Sequence, residues 1–596
     1  MLLGTLDWAI VALFFAAILV IGLLASRKAG SSSTEFFLSG RNMPWWLLGV
    51  SMVATTFSTD TPNLVTDLVR THGVCGNWLW WAFLLTGMLT VFVYAKLWRR
   101  SKVMTDIEFY EIRYSGKSAA FLRGFRSLYL GVFFNVMIMA TVSLAAIKIG
   151  GALLNLTPFQ TIAVALLITG VYTILGGLRS VLMTDFFLFS FAMFGAIMAA
   201  VVAVGLPEVN GLANLFSHPR VVANMHLLPD FNDSTQLLSV LIIPLAVQWW
   251  SVWYPGAEPG GGGYLVQRML SAKDEKNAMG ATLLFNIAHY ALRPWPWIIV
   301  ALASLIVFPD LMALAQRFPH INAAIIKNDL AYPAMLTFLP RGLLGIVVAS
   351  LLAAYMSTMA SHLNWGSSYI VNDFYKRFVK PAASEKELVT VGRIATLLLM
   401  LLAGAVALLL SNALQAFHIL LQIGAGTGLI YILRWFWWRI NAFTEITGMI
   451  VSFLVALYLE IIHVRLGFAP LPSHINLIIG VGITTAAWLL VTLLTPPAAQ
   501  DKLRSFYTLV RPGGIGWDAF LRKLEKEGNP VPQKATPGDL PLGLLCMIAG
   551  CFAVYGAVFG TGYLLYGKFA AALLSLAVSL VAAVFLVRTW GKLEMK

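Results

Sequence analysis

Charged residues are scarce in this sequence. Only 11% of its 596 residues are Asp, Glu, Lys or Arg, whereas 59% are hydrophobic. A soluble domain carries about 25% charged residues, so this scarcity excludes a soluble enzyme or a soluble binding protein. Cysteine is scarce as well, and the spacing of Cys75, Cys546 and Cys551 predicts neither a metal site nor a disulfide framework. We therefore expect a membrane protein without a resident cofactor.

What the sequence does have is a series of long apolar runs. A bilayer core of about 30 Å needs about 20 apolar residues per helical crossing. Crossing segments must be helical, because lipid cannot satisfy free backbone groups. The predicted spans are 6–26, 44–70, 76–98, 124–150, 157–176, 180–205, 236–255, 279–308, 341–372, 388–411, 413–435, 441–464, 474–494, 541–565 and 568–588. These fifteen spans predict an all-α polytopic membrane protein.

The net charge of +14 comes from basic residues that cluster in alternate loops. The clusters lie at 27–41, 99–126, 268–276, 376–380 and 434–439. Lys and Arg of short loops mark the cytoplasmic side of a membrane. The pattern predicts an outside N-terminus, an inside C-terminus and a multi-pass protein of the inner cell membrane. It indicates orientation and no nucleic-acid partner.

The second span is unusually polar. From Ser51 to Asn63 it contains seven hydroxyl or carboxylate side chains, and Pro62 follows them. A proline inside a helix removes one donor and frees a carbonyl one turn earlier, here that of Ser58. Transporters use helices broken at mid-membrane to present carbonyl oxygens to ions. The alternative is a kinked helix whose hydroxyls bond their own backbone.

The ninth span carries a cluster of hydroxyl groups. Ser357, Thr358 and Ser361 fall within about one helical turn. Hydroxyl and carbonyl oxygens are hard ligands of the kind that hard cations take. The alternative is that these hydroxyls join packed membrane helices.

Five motifs follow one another in a fixed order. They are 35–46 (EFFLSGRNMPWW), 105–114 (TDIEFYEIRY), 176–185 (GGLRSVLMTD), 266–273 (VQRMLSAK) and 353–375. Together with the second span, they resemble the sodium:solute symporter family, which includes sodium-coupled sugar, proline, pantothenate and sialic acid carriers. The resemblance implies a ten-helix core of two inverted five-helix repeats with extra flanking helices.

The resemblance also implies a division of the chain. The predicted parts are 1–43 (first peripheral helix and loop), 44–436 (ten-helix core), 437–494 (two additional helices), 495–540 (cytoplasmic linker) and 541–596 (terminal transmembrane hairpin and tail). For 495–540, the alternative is a regulatory or partner-binding segment.

The resemblance implies a sodium site between the second and ninth spans. Its ligands would be the carbonyls of Ala54, Phe57 and Ala354 and the hydroxyls of Ser357 and Thr358. Na⁺ is the only metal that it implies. A second sodium site or a sodium exit path would involve Asp185 and Ser361, although Ala360 stands where the family pattern has another serine.

The resemblance implies a solute site near the break in the second span. Ser58, Asp60 and Thr61 follow the break, while Arg293 and Gln422 lie on the eighth and eleventh spans. These groups suit hydrogen bonding to a polyol or clamping of a zwitterion. A structural ion pair between Arg293 and Asp60 is the alternative.

The seventh span departs from the sugar carriers because it is rich in tryptophan. Trp250 is one of three tryptophans between residues 249 and 253. Its aromatic face could stack on a sugar ring or attract a quaternary amine. We count Trp250 among the predicted solute-binding residues.

The resulting hypothesis is sodium-coupled symport of a small polar solute, sugar-like or amino-acid-like. The expected partners are the solute, sodium and the lipid bilayer, and the oligomeric state stays open, a monomer included. Two alternatives are a membrane sensor built on a symporter-like domain and an intramembrane enzyme. The enzyme would need His289, His418 and Glu258 as a metal set, but these lie on separate segments without a two-ligand motif.

Overall fold

A computed structural model describes residues 3–26, 32–251, 258–410 and 413–593, and nearly all of them are helical. The longer helices of the first half are α1 (Thr5–Ser26), α2 (Trp45–Thr55), α3 (Asp60–His72), α4 (Val74–Ser101), α5 (Gly116–Leu154), α6 (Pro158–Gly205), α7 (Ser234–Ala246) and α8 (Gly263–Ser271). Those of the second half are α9 (Glu275–Val307), α10 (Leu343–Val379), α11 (Glu385–Ala407), α12 (Ala413–Phe436), α13 (Ala442–Arg465), α14 (Ser473–Leu494), α15 (Gln500–Val510), α16 (Asp518–Lys526), α17 (Asp539–Leu565) and α18 (Phe569–Trp590).

Ten helices of the described residues are long and apolar enough to cross a membrane. This number is smaller than the fifteen predicted spans, partly because two predicted neighbours are fused. The spans predicted at 157–176 and 180–205 form the single helix α6 of 48 residues. The predicted interruption between them is therefore wrong. Gly176 and Gly177 weaken a helix, but no proline follows them to end it.

The seventh span is broken, although its apolar run predicts one segment from 236 to 255. Helix α7 ends at Ala246, a single turn follows at Gln248–Trp250, and the next helix of the described residues, α8, begins at Gly263. Gly260 and Gly261 have φ angles of 83° and 94°, a left-handed backbone that favours glycine. The glycine run thus separates two short helices.

Segment 495–540 contains two helices that pack against the core. The indole of Trp517 is fully buried and donates to the Trp435 carbonyl at 2.8 Å. The ring of Phe506 lies 5.6 Å from that of Phe109. A solvated linker has no such buried face, so this segment is a folded part of the protein.

The flanking helices are attached to the core by specific hydrogen bonds. Tyr555 of α17 donates to the Trp81 carbonyl at 2.8 Å. At the other end of the chain, the Asp7 carboxylate of α1 accepts from the backbone amides of Gly342 and Gly345 at 2.7 and 2.8 Å. A carboxylate at a helix start is favourable, so α1 fixes the beginning of α10.

Candidate ion and solute site

The predicted break in the second span is present. Helix α2 ends at Thr55 and α3 begins at Asp60, leaving residues 56–59 outside both helices. Pro62 lies in the first turn of α3, where a missing amide costs no helical hydrogen bond. The Ser58 carbonyl accepts from the Thr61 amide at 3.2 Å, so the prediction that proline frees it is wrong.

The break leaves carbonyl oxygens at the end of α2, and side chains from two other helices reach them. Thr358 of α10 donates to the Thr55 carbonyl at 2.8 Å. Arg293 of α9 donates to the Val53 carbonyl at 3.3 Å. The end of a helix carries partial negative charge, which favours both a bound cation and a guanidinium.

The residues predicted to bind sodium are all buried. Ala54, Phe57 and Ala354 are each 2% exposed, while Ser357 and Thr358 are fully buried. Thr358 meets the carbonyl of Thr55, the neighbour of Ala54. Thr358, one of the five, therefore joins α10 to the end of α2. Hydroxyl and carbonyl oxygens are suited to a hard cation.

Asp185 lies beside this cluster in the middle of α6. Its two carboxylate oxygens accept from Ser357 at 2.6 Å and from Ser51 at 2.5 Å. The carboxylate is fully buried and joins α2, α6 and α10. A buried carboxylate needs a compensating positive charge.

Arg268 supplies such a charge, and sequence reasoning missed it. The positive-inside pattern assigns it to a loop, but it lies in α8 and is fully buried. Its Nε donates to Ser51 at 3.2 Å, and one Nη donates to Ser361 at 2.6 Å. Ser51 therefore accepts from Arg268 and donates to Asp185. The family motif at 266–273, which contains Arg268, was the sequence feature that could have identified this residue.

The residues after the break provide polar groups for a solute. Asp60 is the first residue of α3 and is half-buried, while Thr61 accepts from the Ser58 amide at 3.3 Å. The side chain of Ser58 is buried and interacts with the Asp60 carboxylate. Asn63 was not predicted, yet both polar atoms of its buried amide lack partners among the described residues.

Arg293 is directed to the end of α2. Besides Val53, it donates to Thr56 at 3.1 Å and to Nδ1 of His289 at 2.5 Å. In the described part of the chain, no ion pair within 4 Å joins Arg293 to Asp60. The two charges interact at longer range, and the direct ion pair offered as an alternative is not formed.

Trp250 lies at the second break, where the chain leaves the helical turn 248–250. A Cβ atom at Gly428 of α12 would lie 1.6 Å from the Trp250 carbonyl oxygen, so only glycine permits this approach. The Trp250 indole nitrogen is buried without a partner among the described residues. Gln422 belongs to α12, but its side chain lies outside the described residues, as does that of His418.

Glu258 belongs to a different cluster from His289. Its carboxylate pairs with Arg434 at 3.1 Å and closely with Arg126, and all three side chains are at most 3% exposed. His289 instead contacts Thr56 and Arg293. The histidine and the carboxylate offered for an intramembrane enzyme therefore have separate partners.

A helical membrane protein whose second predicted span is interrupted between α2 and α3, with carbonyl oxygens at the interruption, has the features of an ion-coupled secondary transporter. Comparison with known proteins identifies the family. The model of the sodium:solute symporter family matches residues 36–452, and the chain belongs to this family. It is a multi-pass sodium-coupled symporter, with sodium as its coupling ion.

Several characterised relatives are similar over most of the chain. The sodium/glucose cotransporter of Vibrio parahaemolyticus is 26% identical over 78% of this chain and 87% of its own length. The sodium/mannose cotransporter of Bos taurus is 25% identical over 77% and 80%. The human sodium/myo-inositol cotransporter 2 is 28% identical over 77% and 70%.

A solved structure shares the fold. The substrate-bound, outward-open form of a Na⁺-coupled sialic acid symporter superimposes with a TM-score of 0.64. It is 20% identical and covers 83% of this chain and 99% of its own.

Proposed function

We propose that this symporter carries a neutral, polyhydroxylated solute. The observation that carries the proposal is the Asn63 amide, which is buried on α3 directly after the break and lacks partners for both polar atoms among the described residues. An unsatisfied buried polar atom costs about 1–3 kcal/mol. A solute hydroxyl can donate and accept, so a polyol would satisfy both atoms. The names of the relatives, carriers of glucose, mannose and myo-inositol, support this class.

The surroundings of Arg293 favour a neutral solute over a zwitterion. Recognition of a carboxylate uses two parallel guanidinium donors. Here these donors reach Val53, Thr56 and His289. A carboxylate would have to displace those contacts, whereas a polyol can bind beside them.

The proposed sodium site consists of Ala54, Phe57, Ala354, Ser357 and Thr358. Its support is the contact between Thr358 and the end of α2. We assign one sodium to each transport cycle, because the Arg268 guanidinium donates to Ser361, where a second ion would bind. Asp185 then belongs to the exit path. A reversal-potential measurement in proteoliposomes tests the ratio of one sodium ion to one solute molecule. A ratio of two sodium ions per solute would contradict the assignment.

The proposed topology has the N-terminus outside, the C-terminus inside and a core at 44–436 built from two inverted repeats in the inner membrane. Its support is the distribution of basic loops and the presence of one broken helix in each half of the core. Single cysteines introduced at Asp230 and Lys523 test it. A membrane-impermeant maleimide should label only the first in intact cells.

Solute uptake into proteoliposomes tests the function. Glucose, mannose or myo-inositol should accumulate with a sodium gradient and should not when choline replaces sodium. Proline should not accumulate. Asn63→Ala should raise the half-saturating polyol concentration about tenfold, as expected for lost hydrogen bonds worth about 1.4 kcal/mol. Asn476→Ala, a buried change in peripheral helix α14, should leave it unchanged. Unaltered polyol affinity in Asn63→Ala would contradict the assignment.

A further inference from the structure

A cleft of about 780 Å³ lies between the loops of the core and helix α15. The core wall carries Arg99 and Lys102 at the end of α4, together with Lys273 in the turn after α8. The opposite wall carries Arg504 of α15 and Arg511 directly after it. Positive charges therefore face each other across one concave space.

The two carboxylates of the cleft leave most of these charges without a salt bridge. Both carboxylate oxygens of Glu275 accept hydrogen bonds from Arg100 at 3.0 Å, so Arg100 already balances the charge of Glu275. Asp274 accepts from the backbone and the side chain of Asn277 at 2.8 and 2.9 Å, as the cap of α9. Four cations of the cleft make no ion pair among the described residues; they are Arg99, Lys102, Lys273 and Arg504.

The basic groups are also held in place by the backbone. Arg99 donates to the Ala272 carbonyl at 2.8 Å. Arg504 donates to the Pro530 carbonyl at 3.2 Å, and its Nε is buried without a partner in the described part of the chain. Burial and the charge of Arg99 lower the pKa of Arg41, which adjoins this wall. Like charges that lie close together repel, so an anion would lower the energy of this arrangement.

We propose that this cleft binds a phosphate-bearing anion, either the headgroup of an anionic lipid or a free phosphate compound. Arginine matches phosphate because its planar donors can form two parallel hydrogen bonds. The volume lies within the usual range of small-molecule sites. Basic pockets at the ends of membrane helices bind lipid headgroups, and α4 ends at this cleft. The site is separate from the solute and sodium sites, and the proposal goes beyond symport.

Occupancy would join α15 to the core. The anion would contact cations on both walls and thereby offset their repulsion. Because a ligand stabilises the state that binds it, we expect the folded protein to gain stability from the anion.

Thermal unfolding of the purified full chain tests the proposal in two arms. In the first, the protein in neutral detergent is titrated with pyrophosphate against sodium chloride of equal ionic strength. In the second, the protein is compared in nanodiscs of phosphatidylcholine alone and of phosphatidylcholine with phosphatidylglycerol. The first arm reports a free phosphate compound, and the second reports a lipid headgroup.

The charge-removing variant is Lys273→Gln with Arg504→Gln. Its matched control removes one Arg and one Lys from exposed α16 positions, Arg522→Gln with Lys526→Gln. If the first variant folds poorly, Lys102→Gln with Lys273→Gln replaces it, because this double change leaves the contacts of α15 intact.

We expect the unfolding temperature to rise in at least one arm for the wild type and the control. In the variant, the midpoint concentration of the effective anion should increase about tenfold, as expected for the loss of charge-assisted hydrogen bonds. A response in only one arm identifies the source of the phosphate. No rise in either arm, or an equal rise in variant and control, would overturn the proposal.

Discussion

The guanidinium of Arg268 donates a hydrogen bond of 2.6 Å to the hydroxyl of Ser361. The same hydroxyl lies 2.8 Å from Oγ1 of Thr55, the last residue of α2. A permanent positive charge thus lies at the edge of the proposed sodium site. It is linked to the Asp185 carboxylate through Ser51. The protein therefore balances this buried carboxylate without relying on sodium alone.

Removing the charge of Arg268 should destabilise the protein. Arg268→Met leaves Asp185 buried without its nearby cation. Because Ser51 lies between the two groups, we expect the cost to stay below the roughly 3–5 kcal/mol found when one partner of a direct buried pair is removed. We expect a clear fall in the unfolding temperature in sodium-free detergent. High sodium should restore part of it, because the ion can supply the missing charge.

Asp185→Asn in the Arg268→Met background is the control. Removing both charges should give a more stable protein than Arg268→Met alone, since neither charge is then buried without compensation. If the double variant were less stable than the wild type by the sum of the two single-variant effects, the two residues would not be coupled.

Thr358→Ala should weaken sodium dependence much more than folding. The change removes a hydroxyl that lies 2.8 Å from the Thr55 carbonyl and belongs to the proposed ligand set. A lost hydrogen bond of about 1 kcal/mol predicts a roughly fivefold rise in the sodium concentration for half-maximal uptake. Thr358→Ser retains the hydroxyl and should stay near the wild type. A normal sodium response in Thr358→Ala would remove this residue from the site.

Sequence reasoning located the first break and the hydroxyl cluster of α10 because both rest on local chemistry. Seven polar side chains before Pro62 are incompatible with an ordinary lipid-facing helix. The second break was missed because the segment 236–255 is largely apolar, and its interruption depends on glycines that follow it. The close approach of Trp250 to Gly428, which fixes the end of this turn, joins residues far apart in the sequence.

Arg268 shows where charge patterning fails. A lysine or arginine near the end of an apolar run indicates a cytoplasmic loop only when the side chain is solvated. Arg268 is instead buried by Ser51, Thr55 and Ser361, which come from two other helices. Nothing within its own segment distinguishes it from Lys273, which is exposed.

Glu258→Gln should make the symporter leak sodium. The carboxylate holds Arg126 and Arg434 together, and these residues come from α5 and α12. Without it, Glu445, which lies 3.6 Å from Arg434, is the remaining carboxylate paired with either guanidinium among the described residues. The repulsion between the two guanidinium groups is then balanced less well, and these helices should loosen at one end of the core. We expect a faster solute-independent sodium flux in proteoliposomes that contain a sodium-sensitive dye. Glu387→Gln, which breaks the exposed pair with Lys380, should not raise this flux. If the solute-independent sodium flux were unchanged in Glu258→Gln, this carboxylate would not be needed to keep that end of the core closed.

Glu111 should contribute stability that is lost in acid. Burial alone would raise the pKa of Glu111, but hydrogen bonds and charges from Arg377 and Arg123 lower it below its ordinary value. The folded state therefore binds this proton less readily than the unfolded state, and stability rises with pH. The contribution is complete above the unfolded pKa of about 4.3 and disappears as the pH falls through the lower folded pKa.

The unfolding temperatures of the wild type and Glu111→Gln, measured from pH 7 to pH 3, test this linkage. The wild type should be more stable at pH 7, and the difference should shrink below about pH 4.3. If the stability difference between the wild type and Glu111→Gln grew as the pH fell, the proposed effect of Glu111 would be contradicted.

Trp517→Ala should show whether segment 495–540 is structurally part of the core. The indole is buried, bonds to the Trp435 carbonyl and lies 5.1 Å from the Arg113 guanidinium. Truncating a buried aromatic side chain costs about 3–5 kcal/mol, whereas an exposed loop residue costs almost nothing. We expect a lower unfolding temperature and faster tryptic cleavage between residues 495 and 540. Ile515→Ala is the matched control, because this side chain is 90% exposed and only two residues away. If the two variants had the same unfolding temperature and the same cleavage rate, the segment would be a linker. Only in a packed segment do these two neighbouring side chains contribute differently to stability.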